Sequence, residues 1–114
     1  MTRGQINAML KAVGLPVAYD HFDTNDDDRP SGPPFICFLY PNRDDFAADN
    51  RNYVRITALR VELYTDAPSF DLEDSLEAAL DAAELAYSKS GPDYIDDERM
   101  YITTYETEVI LNGE

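Results

Sequence analysis

A chain of 114 residues is long enough for one modest core, and a composition of 44% hydrophobic and 11% aromatic residues is that of a folding sequence. The formal charge of −14, from 23 acidic and 9 basic residues, argues against a nucleic-acid-binding surface, which needs clustered Lys and Arg. No apolar run approaches the roughly 20 residues of a membrane span, the opening MTRGQINAMLKAVG lacks the pattern of a secretory signal, and the single Cys37 excludes an internal disulfide.

From Thr2 to Val13 the residues Ile6, Met9, Leu10 and Val13 recur on one face, which predicts a short helix. Thr2 can cap its start, and Gly14 with Pro16 ends it. Val17 to Phe22 is expected to be a strand. It carries the only histidine, His21, which is expected to be structural or exposed, because no nucleophile or ligand cluster accompanies it.

Asp23 to Pro34 is a loop of Asp, Asn, Pro, Gly and Ser. Its opening Asp23-x-Asn25-x-Asp27 copies the start of a calcium loop. The copy fails at the sixth position, Asp28 in place of Gly, and at the twelfth, Pro34 in place of Glu. The loop is expected to be acidic surface, with Asp26, Asp27 and Asp28 at an oligomer or partner contact.

Phe35 to Tyr40, FICFLY, is a continuous apolar run between prolines, the pattern of a strand covered on both faces. Cys37 within it is expected to be a buried structural thiol. After a turn at 41–45, Phe46 to Asn50 predicts a brief extended piece that joins an antiparallel meander with FICFLY and the long strand that follows.

That long strand, Asn52 to Thr65, changes phase. Val54, Ile56 and Ala58 are apolar on even positions, then Leu59, Val61 and Leu63 on odd ones. A one-residue slip turns every side chain over. The reading is therefore either a bulge near Thr57–Leu59 or two ends burying opposite faces. Leu59, Val61 and Leu63 are expected to face a helix. Val54, Ile56 and Phe46 are interface candidates.

Ser69 to Ser88 predicts the main helix, with Ser69 or Asp71 at its start and Gly91-Pro92 beyond its end. Leu72, Leu76, Ala79, Leu80, Ala83 and Tyr87 form its apolar stripe. Lys89 is placed near the last turn, where it would favour the helix dipole. Glu73, Glu77, Asp81 and Glu84 form an acidic stripe, expected to be solvated. Asp96, Asp97 and Glu98 lie in a loop, and Arg99 to Leu111 returns as a strand rich in β-branched and aromatic residues. The predicted class is α+β in one domain, 1–114: a mostly antiparallel sheet of about four strands, a short N-terminal helix and one long helix packed on it. No catalytic, cofactor or metal motif is present in the sequence.

Five stretches resemble the small tail-completion proteins of siphophages and prophages: LPVAYDHF (15–22), PPFICFLYP (33–41), DDFAADNRNY (44–53), LRVELYTD (59–66) and DYIDDERMYITTYE (93–106). The resemblance implies a non-enzymatic tail terminator or head–tail joining protein. Such a protein forms a hexameric ring that caps the tail tube, and its partners are the major tail protein and the head connector or stopper. It implies a virion location after assembly in the host cytoplasm, with no membrane and no sequence-specific nucleic acid binding. A channel that conducts DNA is best lined with acidic groups, so Glu73, Glu77, Asp81 and Glu84 are candidates for the lining. The competing reading of so acidic a chain is an inhibitor or DNA mimic that occupies a basic partner.

Overall fold

The computed structural model describes residues 1–23, 29–43, 46–48, 51–54 and 56–111. Helix α1 (Arg3–Lys11) starts at a reciprocal cap. The Thr2 hydroxyl accepts from Gln5 N–H, and the Gln5 side chain accepts from Thr2 N–H. Gly14, at φ +100°, carries the chain out of it. Strands β1 (Val17–Tyr19), β2 (Phe35–Leu39), β5 (Ile56–Thr65), β6 (Tyr87–Ile95) and β7 (Met100–Ile110) form one sheet in the order β1-β2-β5-β7-β6. Helix α2 (Phe70–Ala82) follows β5.

The sheet differs from the expectation in number and sense. It has five strands, and β1 runs parallel to β2 while the other pairings are antiparallel. The parallel pair sets Val17 beside Ile36 and Tyr19 beside Phe38. The segment at 46–50 does not join a meander. Strand β3 (Phe46–Ala48) pairs with β4 (Arg51–Val54) in a separate two-stranded ribbon.

That ribbon removes Val54 from the long strand, while the change of phase itself lies within β5, whose Ile56 and Ala58 take the face opposite to Leu59, Val61 and Leu63. The run 52–65 is two strands in two sheets, not one long strand. Val54 closes β4 in the ribbon, and β5 pairs with β7 from Ile56 to Thr65 without a register shift. The irregularity falls in the ribbon, between Phe46 and Ala47, not at Thr57–Leu59. Along β5 burial alternates strictly, with Thr57, Leu59, Val61, Leu63 and Thr65 inside. Ile56 and Ala58 therefore point to the opposite face.

Leu59, Val61 and Leu63 pack in one core with Ile6 and Leu10 of α1, Leu76 and Leu80 of α2, Ile36 and Phe38 of β2, and Tyr105 and Val109 of β7. Both helices thus contribute to the core on one face of the sheet. FICFLY behaves as read: Ile36, Cys37 and Phe38 are all buried, so β2 is covered on both faces.

The main helix is shorter than its apolar spacing predicts. It ends at Ala82, which at about 1.5 Å per residue makes it about 20 Å long. Glu84 takes the left-handed conformation, φ 59°. Its N–H donates to Asp81 C=O at 2.9 Å, and Leu85 N–H donates to Leu80 C=O at 3.0 Å. This paired closure satisfies the last carbonyls and stops the helix without a glycine. Tyr87 still meets the core side, but from β6, where it pairs with Thr107 and packs edge-on against Tyr105. Gly91-Pro92, expected to stop a helix, forms a register shift within β6. Lys89 is likewise a strand residue.

Candidate functional site

Strand β6 redraws the acidic stripe. Glu73 is 3% exposed and lies beneath Lys89, whose Nζ stands 2.7 Å from Glu73 Oε1 and donates to Glu77 Oε2 at 2.8 Å. Glu77 also accepts from the Tyr105 hydroxyl at 2.7 Å and the Tyr87 hydroxyl at 3.3 Å. These bonds, led by that from Lys89, hold the Glu77 carboxyl below its ordinary range. The two carboxylates in turn push the Lys89 ammonium up, and burial pushes the Tyr105 phenol up. Glu73 and Glu77 are therefore not a solvated face. They form an inward network that ties α2 to β6 and β7, and Glu73 has no exposed surface to offer a channel. Asp81 and Glu84 remain exposed.

The other sequence candidates separate. Ile56 is half-buried at the start of β5, opposite Ile110 of β7, which is 57% exposed. Val54 and Phe46 are backbone register partners in the ribbon. Asp26, Asp27 and Asp28, with the body of the calcium-like loop, lie outside the described residues.

The flank of that loop covers the helix-free face. Phe22 packs edge-on against Phe35, which stacks on Tyr64 at 4.8 Å. A cavity of about 380 Å³ lies here, with His21, Arg29, Cys37 and Glu98 in its wall. Burial pushes the Cys37 thiol up to about 11, so the nucleophilic thiolate is scarce. His21 is exposed, with Nδ1 2.8 Å from Asp20 Oδ2 and Nε2 3.2 Å from Asp23 Oδ1, and these contacts raise its pKa. Among the described residues, no three His, Cys, Asp or Glu side chains converge as metal ligands would.

Reading the sequence did not find the groove between α1 and β1, of about 680 Å³. Arg3, Asn7 and Lys11 recur every fourth residue and so line one side of α1. Tyr19, Phe38 and Tyr40 form the facing wall, with Tyr19 edge-on to Phe38 at 5.4 Å. The Arg3 guanidinium lies 5.9 Å from the centre of the Tyr40 ring. Tyr40 N–H donates to the Tyr19 hydroxyl, whereas the Tyr40 hydroxyl is buried with no hydrogen-bond partner among the described residues. The spacing of Arg3, Asn7 and Lys11 was the available signal. It gains meaning only once the aromatic wall is opposite.

The architecture is an α+β fold with two helices on one side of a five-stranded mixed sheet. It is shared with a chain in the solved structure of the virion of a native gene transfer agent particle. The match covers 96% of this chain and 88% of that one, with a TM-score of 0.62 and 15% sequence identity. At that identity the likeness is one of fold. No protein-family model matches the chain, and no curated protein does.

Proposed function

We propose that this chain is a non-enzymatic virion assembly protein that caps the tail tube and joins it to the head connector as a hexameric ring, one domain per subunit. The observation that carries the virion role is the fold shared, over 96% of the chain, with a component of a gene transfer agent virion. The finer assignment to tail completion rests on the five resembling stretches. Partners are the major tail protein and the connector or stopper, met after assembly in the host cytoplasm. The candidate lining for passing DNA narrows to Asp81 and Glu84, which are exposed on and just beyond α2. Acidic side chains there offer phosphate no adhesive site.

The test is reconstitution with the major tail protein of the same particle. A capping ring arrests tube growth, so tube lengths narrow when the chain is added, and light scattering gives the mass of six subunits. A chain that stays monomeric and leaves tube length unchanged overturns the proposal.

A further inference from the structure

The β3–β4 ribbon continues the β2–β5 pairing beyond the sheet. β2 pairs with β5 from Phe35↔Tyr64 to Leu39↔Arg60, Arg43 bridges Thr57, and β3 pairs with β4 from Phe46↔Val54 to Ala48↔Arg51. The same two stretches of chain thus run antiparallel, in nearly continuous register, from the sheet out to Ala48 and Arg51. Among the described residues β3 and β4 have no other strand partner. The radius of gyration is 15.2 Å, against about 13 Å for a compact chain of this length, as an arm standing off the body makes it. A two-stranded ribbon by itself is marginal in water, so it needs a sheet to join.

The five-stranded sheet has two edges, β6 and β1. β6 is a poor acceptor of a further strand, because Pro92 has no N–H and the register shifts between Ser90 and Asp93. β1 is open. Ile36 N–H donates to Pro16 C=O at 2.8 Å, and Asp20 N–H donates to Phe38 C=O at 2.7 Å. Pro16, Ala18 and Asp20 therefore turn their backbone groups to β2, and Val17 and Tyr19 turn theirs outward. The Val17 N–H and C=O and the Tyr19 N–H have no hydrogen-bond partner among the described residues.

We infer that the β3–β4 ribbon of one copy adds to the β1 edge of the next, main chain to main chain. The ribbon and the edge are different patches of one chain, which is the heterologous geometry that closes a ring. This assignment rests on the ring reading and specifies its interface.

The experiment compares the self-association of four proteins by sedimentation: wild type, a chain with residues 45–55 replaced by an Asn-Gly turn, Val17→Pro, and Val17→Ala. The Asn-Gly chain loses the ribbon, and Val17→Pro loses an outward N–H of the edge. Each is expected to weaken association at least about tenfold. Val17→Ala keeps the N–H and is expected to stay within about threefold of wild type. When mixed, the Asn-Gly chain supplies an intact edge and Val17→Pro an intact ribbon, so the two are expected to form a one-to-one pair and no ring. Circular dichroism confirms the fold of each variant, and the Asn-Gly chain tests the ribbon even where Val17→Pro does not fold. Rings formed by the Asn-Gly chain, a Val17→Ala loss equal to that of Val17→Pro, or a mixture that stays monomeric overturns this inference and leaves the wild-type ring standing. A wild type that never associates, even with tail-tube protein, overturns both.

Discussion

Lys89 of β6 lies 2.7 Å from Glu73, a carboxylate on α2 that is 3% exposed. A buried charge without a partner is strongly destabilising, so this contact lets α2 lie on the sheet with Glu73 facing inward.

Lys89→Met is expected to lower stability at pH 7 by about 3 kcal/mol, because it leaves that carboxylate buried and unpaired. The pH dependence also changes. In the wild type the depressed Glu77 pKa adds stability that is present above the ordinary Glu value and is lost as pH falls through the folded one. The raised Lys89 pKa adds stability that is present below the ordinary Lys value and is lost as pH rises through the folded one. Lys89→Met removes the leading cause of the Glu77 shift, so the acid slope flattens in the variant. Urea titrations of both proteins from about pH 7 down through the ordinary Glu range check the acid slope.

Glu84 occupies the left-handed position that ends α2, φ 59°. Glu84→Gly is expected to raise stability by about 1 kcal/mol, since glycine takes that conformation without the Cβ clash. Thermal unfolding of the two proteins measures it. An unchanged or lowered midpoint would show that the Glu84 side chain makes a compensating contact.

Gly91 is the opposite case. Its φ is +95°, and an added Cβ would lie 2.6 Å from the Ile102 carbonyl oxygen on the adjacent strand. Gly91→Ala is expected to cost about 2 kcal/mol or more, with backbone strain and the clash acting together. Gly14→Ala, also at positive φ but in open space, is expected to cost about 1 kcal/mol. Gly32→Ala, in open space without positive φ, is expected to stay within about 0.5 kcal/mol of wild type. The order of the three by denaturant melt is the check.

The Tyr40 hydroxyl is buried and unsatisfied among the described residues. Tyr40→Phe is expected to leave the isolated protomer as stable as before or up to about 1 kcal/mol more so, because no bond within it is lost. Thermal melting of the two proteins measures the difference.

How far the sequence was legible follows the range of each signal. The cap at Thr2, the apolar face of Ile6 and Leu10, the doubly covered FICFLY and the inward set Leu59, Val61 and Leu63 were all readable, because caps and periodicity act over a few residues. The end of α2 was not, because it uses Glu84 where Gly91 was the visible signal, and Tyr87 keeps the helical spacing while belonging to a strand.

The amino-acid sequence by itself determined the α+β class, most of the core and the excess of negative charge, through local patterns that need no partner. Only the tertiary structure decided where that charge acts. Glu73 is interior because Lys89 arrives from a later strand, and Val54 leaves the long strand because β4 and β5 find different partners. The groove beside α1 exists because β1 lies parallel beside β2 and faces that helix. Each depends on pairing between distant segments, and such pairing is set by the free energy of the whole packed core.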